Sequence, residues 1–190
     1  MEHYYQNIGE DWFSYAGFYR DMVDKAIDGD IFVELGCWKG RSTCFMGVEI
    51  INSGKKIQLC AVDSWRYRPN TEQPCSSQME FDKVYKEFLT NTKPIIDVLD
   101  VYIMDTTYAA EAFDDESVEL VFFDASHYKE DLKRDIEAWF PKVRTGGIFA
   151  GHDYYTRCHP GVKEAVIECF PKYETLVSMN VWFTKKDWNK

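Results

Sequence analysis

No stretch of the 190-residue sequence approaches the roughly 20 consecutive apolar residues that a membrane span requires, so no transmembrane helix is expected. The first residues, MEHYYQNIGEDWFSYAG, carry acids and lack an apolar run, so they are not expected to act as a signal peptide. Basic residues are in the minority. Twenty-two Lys and Arg against 32 Asp and Glu leave a net charge of −10. Such a surface argues against a nucleic-acid partner and against docking on an anionic membrane. The six cysteines (Cys37, Cys44, Cys60, Cys75, Cys158 and Cys169) form no CxxC pair, which argues against a zinc ribbon. Three of them lie in apolar segments, where cysteine packs as a small hydrophobe, and a reducing, cytoplasmic setting is expected. Repeats and low-complexity tracts are absent as well.

What is present is the balance of an ordinary globular chain, 45% hydrophobic and 28% charged. Its length suits one domain with one sizeable core. Residues 31–36 (IFVELG) and 57–63 (IQLCAVD) are short, nearly continuous apolar runs, as strands covered on both faces are. Between them residues 42–52 are apolar at helical spacing, and Gly54 ends that helix. Further strands are expected at 98–104, 118–124, 148–151, 173–179 and 181–185, and helices at 106–113, 128–140 and 161–170. Strands alternating with helices imply a doubly wound, mostly parallel α/β sheet. The tight connection at Asn180 makes the last two strands an antiparallel hairpin. Residues 1–28 are aromatic-rich and amphipathic and are expected to add a helix and part of a lid. Residues 65–78, with Pro69 and Pro74, read as a long loop of the kind that covers a site.

The segment 33–42, VELGCWKGRS, places Glu34, Gly36 and Gly40 between the first strand and the next helix. Glycines there let the backbone turn sharply and approach a ligand, and the helix N-terminus faces it. The dinucleotide fingerprint GxGxxG is absent, which disfavours a nicotinamide dehydrogenase. A glycine-containing turn without a ligand also fits. Asp63 ends the second strand, 27 residues after Gly36, where a carboxylate accepts from ribose hydroxyls or, alternatively, caps a turn.

The ExGxxxG turn followed by Asp63 resembles motifs I and II of class I S-adenosylmethionine methyltransferases. The run FFDASHYKEDLKRDIEAWFPKVRTGGIFAGHDY is similar to the small-molecule O-methyltransferases of the catechol, caffeoyl-CoA and macrocin types, the last being nearest. The resemblance covers residues 30–166. It implies a seven-stranded Rossmann-like sheet, with residues 1–190 as one methyltransferase domain. By that resemblance Glu34, Gly36 and Gly40 shape the methionine and ribose pocket, Asp63 holds the ribose, and Ser64 or Trp65 lies at the adenine edge. Asp105 and Thr106 fall where the group contacts adenine, and Asp124 borders the cofactor. Asp124 and Asp153 match its divalent-cation ligands, and His127 its general base. His152 departs from the pattern, standing where many relatives carry a carboxylate or asparagine. An imidazole beside two carboxylates still has metal-site character, so Mg²⁺ or another divalent cation is expected at Asp124, His152 and Asp153.

The mechanism these residues imply is methyl transfer from S-adenosylmethionine to a hydroxyl of a small molecule. Positioning does most of the work, and His127 removes the proton. Two other readings stay open. A metal-dependent hydrolase would use Asp124, His127, His152 and Asp153 but leave the Gly36 turn without a role. A non-catalytic nucleotide-binding scaffold would use the turn and leave the cluster idle.

Overall fold

A computed structural model describes every residue except 70, 72, 73 and 190, and of residue 189 the backbone alone. The expected loop at 65–78 therefore lies partly outside the described residues.

The chain runs α1 (Ala16–Lys25), β1 (Ile31–Leu35), α2 (Arg41–Ser53), β2 (Gln58–Asp63), α3 (Gln78–Thr92), β3 (Leu99–Ile103) and α4 (Thr106–Ala109). It continues through β4 (Val118–Phe123), α5 (Lys129–Trp139), β5 (Val143–Gly151), α6 (Pro160–Cys169), β6 (Glu174–Leu176) and β7 (Val181–Lys185). The seven strands form one sheet in the order β3-β2-β1-β4-β5-β7-β6. The first five are parallel, while β7 pairs antiparallel with both β5 and β6.

Side-chain alternation along the strands divides the core between two faces. Phe32, Leu59, Ala61, Leu120 and Phe122 pack under α1, α2 and α3. Val33, Leu35, Val62, Val121 and Phe123 pack under α4, α5 and α6, around Trp139. Both faces of β4 are buried throughout, which is why VELVFF is apolar but for Glu119, and that carboxylate pairs with Arg144.

No element is expected at residues 79–97 from the sequence, yet most of them belong to α3. Its start carries a capping pattern, Ser77-Gln-Met-Glu80, with Ser77 Oγ accepting from the Glu80 amide at 3.4 Å. Phe81, Val84 and Phe88 then bury one side of the helix. A second difference concerns β5, which begins at Val143 rather than 148. The Thr-Gly-Gly segment is strand, with Gly146 at φ +81°, and the register against β4 shifts between Val118 and Leu120. An irregularity of this kind lets turn-forming residues sit within a ladder. The N-terminal helix expected within residues 1–28 is confined to α1, and a single 3-10 turn (Tyr5–Asn7) precedes it.

The sheet order reverses at β1. The chain passes outward through β2 and β3, then returns to β4 on the other side. The carboxyl ends of β1 and β4 thus bound a crevice, where open α/β sheets bind ligands. Among the described residues no helix is long and apolar enough to cross a membrane.

Candidate functional site

The crevice opens into a cleft of about 1190 Å³. That exceeds the 300–1,000 Å³ typical of a site for one drug-sized molecule, so it has room for a cofactor and an acceptor together.

At its floor β1 turns at Gly36, whose φ is +88°. A Cβ added there would stand 2.3 Å from the Asp124 carbonyl oxygen and 2.7 Å from Ala125 Cα. Only glycine lets the end of β1 lie this close to the end of β4. Asp63 braces the same turn. Its Oδ2 accepts from the amides of Cys37 (2.9 Å) and Trp38 (3.1 Å), and its Oδ1 from the amide of Trp65 (2.8 Å). Burial still holds the Asp63 carboxyl above its usual range despite these amides. The amides of the turn thus engage most of the roughly four acceptor sites that a carboxylate offers.

Gly36, Asp63, Ser64, Asp105 and Thr106 all line the cleft, and Glu34, Gly40 and Trp65 do not. Glu34 faces the α1–α2 layer, fully buried, and accepts from Tyr19 Oη at 2.9 Å and from Thr43 Oγ1. Burial pushes its carboxyl up to about 7 against the pull of these donors. Gly40, at φ +85°, starts α2 and packs on Phe88. Trp65 is buried against Tyr85 and Phe88, and its Nε1 donates to the Trp38 carbonyl at 2.9 Å. At the far end Asp105 caps α4, accepting from the Thr107 amide at 3.1 Å, and it pairs with Arg68 of the 65–78 loop.

Asp124, His127, His152 and Asp153 meet above the ends of β4 and β5 and line the same cleft. His127 Nε2 lies 2.8 Å from Asp153 Oδ2. His152 Nδ1 lies 3.3 Å from the same oxygen and 3.7 Å from Asp124 Oδ1. One ligand atom from each of Asp124, His152 and Asp153 falls within 4.8 Å of the other two. Asp153 has φ +63°, a left-handed conformation that turns its side chain back over the crevice.

The charges are strongly coupled. Burial acts to lower the pKa of His152, but hydrogen bonds to Asp124 and Asp153 and their charges outweigh it and push the ring up to about 10. His127 is likewise raised, burial being outweighed by Asp153 and Asp124. Burial would raise Asp153, yet the two histidines and Thr156 hold it well below the usual carboxylate range.

Several groups at this site carry no local sequence signal. His159 stacks on His127 with centroids 3.8 Å apart. Ser14 Oγ lies 2.9 Å from His152 Nε2, and Tyr15 Oη donates to Asp124 Oδ2 at 2.7 Å. Thr156 Oγ1 (2.5 Å) and Asn180 Nδ2 (3.3 Å) donate to Asp153 Oδ1. The N-terminal segment reaches the cleft by crossing the Gly36–Arg41 turn. There Glu10 accepts from Trp38 Nε1 at 2.9 Å and Asp11 pairs with Arg41 at 2.6 Å.

Residues 33–154 match a family described as a methyltransferase domain. A curated relative from Sinorhizobium fredii, the uncharacterized protein y4gI, is 26% identical over 129 residues. The match takes in 67% of this chain and 13% of that protein, so the chain spans about an eighth of its length. Among solved structures, the O-methyltransferase NovP superposes with a TM-score of 0.68 at 16% identity, covering 90% of this chain and 79% of NovP. A protein of Clostridium thermocellum described as an rRNA-methylase gives 0.63 at 15% identity, covering 92% of this chain and 97% of that one. At these identities the structures share the fold.

Proposed function

We propose, since the chain belongs to the methyltransferase-domain family and so works by S-adenosylmethionine-dependent methyl transfer, that the methyl group passes to a hydroxyl of a small molecule. The observation that carries this reading is the convergence of His127, Asp124 and Asp153 on the cleft that also contains Gly36, Asp63 and Asp105. In it, the Gly36 turn and Ser64 receive the methionine and ribose half of the cofactor, and the Asp63 carboxylate, which lines the cleft, accepts from the ribose. Asp105 and Thr106 border the adenine, with Arg68 closing that end. Glu34, Gly40 and Trp65 act beneath the surface by holding the turn in shape.

The acceptor occupies the rest of the cleft, above the cluster. A sulfonium carbon is already electrophilic, so presenting an oxygen in line is the chief contribution of the protein. His127 removes the proton. With Nε2 directed at Asp153, the neutral ring keeps Nδ1 as the acceptor. Positive charge brought into the crevice by a bound cofactor opposes protonation of His127 and favours that neutral form. The converging atoms of Asp124, His152 and Asp153 fit a divalent cation. Two carboxylates with one imidazole suit Mn²⁺ at least as well as Mg²⁺. When bound, such an ion lowers the pKa of a hydroxyl that it contacts.

A soluble acceptor in the cytoplasm fits the net charge of −10 better than nucleic acid does. The test is methyl transfer from S-adenosylmethionine across a panel of sugars, catechols and RNA, with and without chelator. Transfer to a small hydroxyl compound that falls at least tenfold in excess chelator is expected. Transfer that is undiminished by chelator removes the cation, and transfer to RNA alone removes the small-molecule acceptor.

A further inference from the structure

Each member of the cluster turns one polar atom inward and one outward. The inward atoms are Asp124 Oδ1, His152 Nδ1 and Asp153 Oδ2, with Nδ1 3.7 Å from the first carboxylate and 3.3 Å from the second. The outward atoms are all engaged, and by residues outside 33–154. Tyr15 Oη takes Asp124 Oδ2, Ser14 Oγ takes His152 Nε2, and Asn180 Nδ2 joins Thr156 on Asp153 Oδ1. These three partners come from the segment before α1 and from the turn between β6 and β7, and all three line the cleft.

The Ser14 contact has a direction. Its hydroxyl has one proton, which goes to the Met179 carbonyl at 3.0 Å. Toward His152 the oxygen therefore accepts, and Nε2 must carry the hydrogen. That contact pins the ring with Nδ1 turned to the two carboxylates. Tyr15 similarly commits Oδ2 of Asp124 and leaves Oδ1 inward. Asn180, itself left-handed at φ +57°, also accepts from the Tyr155 amide at 2.7 Å and so ties the Asp153 turn to the hairpin.

We propose that Ser14, Tyr15 and Asn180, supplied by the two ends of the chain, are positioning residues that select which atoms of Asp124, His152 and Asp153 face the reacting groups. The proposal rests on the reading of the cluster as the acceptor-activating site, but its geometry can be tested separately. The chain has four histidines, so their side-chain N–H resonances can be assigned in the intact protein by single His→Gln replacements. In the wild type the His152 Nε2–H should appear downfield and exchange slowly with water. Ser14→Ala should shift that proton and speed its exchange at least tenfold, and Ser14→Thr should restore both. Tyr19→Phe, which removes a hydrogen bond to Glu34 instead, should leave the signal in place.

In the same proteins Mn²⁺ affinity, read by the loss of free-ion paramagnetic signal, should fall about 10–100-fold in Ser14→Ala and Tyr15→Phe, the usual effect of removing an outer-shell partner. Affinity for S-adenosylhomocysteine should stay within about twofold. A wild-type His152 signal and exchange rate in folded Ser14→Ala would overturn the proposal. If the wild type binds no Mn²⁺, the cation part of the functional reading fails, and the N–H measurement alone decides the positioning role.

Discussion

Replacing Gly36 by alanine should damage stability and cofactor binding together, by an amount that follows from the backbone. Two costs apply. A φ of +88° is disfavoured for a residue with a Cβ, by about 1–2 kcal/mol. The added methyl would also lie 2.3 Å from the Asp124 carbonyl oxygen and 2.7 Å from the Asp124 carbonyl carbon, all backbone atoms that no rotamer change can move. Forcing the ends of β1 and β4 apart costs about 1–3 kcal/mol more. The total is about 2–5 kcal/mol. Gly54 gives the matched control, because it is left-handed at φ +68° and a Cβ there meets nothing within 4 Å. Gly54→Ala should therefore lose only the conformational part, about 1–2 kcal/mol. Urea denaturation of both variants reads the difference, and calorimetry with S-adenosylhomocysteine reads the functional part. Gly36→Ala should bind at least tenfold more weakly and Gly54→Ala as the wild type. Equal losses of stability in the two variants, or full binding by Gly36→Ala, would refute the close approach of β1 to Asp124.

Two further outcomes concern Glu34 and His127. Glu34 is fully buried with its carboxyl raised from 4.5 to about 7, so folding favours its protonated form. Below pH 4.5 it has little effect on stability, and stability is lost as pH rises from about 4.5 to about 7, by about 3 kcal/mol at most. The stability of Glu34→Gln relative to wild type should accordingly improve by up to that amount between pH 4 and pH 8, and a difference independent of pH would show that the carboxylate is not destabilised by burial. Once an acceptor is in hand, His127→Ala should lower kcat by about 10²–10⁴ with cofactor affinity unchanged. Wild-type turnover by the folded variant would remove His127 from the mechanism, and loss of cofactor binding would assign it a structural role.

The parts of the molecule that were legible in the sequence are those fixed by local pattern. β1, β2 and β4 are buried on both faces and so read as largely apolar runs; the Gly36 turn follows β1, Asp124 and His127 follow β4, and His152 and Asp153 follow β5. α3 was readable from the Ser77-x-x-Glu80 cap, but the proline-containing stretch before it masked the start. The resemblance implies Ser64 or Trp65 at the adenine edge; Ser64 lines the cleft, while Trp65, with a left-handed backbone (φ +42°), is buried in the core. Ser14 and Tyr15 lie 138 and 109 residues from the groups that they hold. No spacing rule spans such a separation, because the contact exists only once the sheet has brought β4, β5 and the N-terminal segment together.

Titration calorimetry with S-adenosylhomocysteine tests the central claim most directly, because it requires neither an acceptor nor a metal. The wild type should bind with a micromolar Kd, and Asp63→Ala should weaken binding by about 1.5–3 kcal/mol, the range for hydrogen bonds to a charged group. An absence of both heat and thermal stabilisation in the folded wild-type protein would contradict the account.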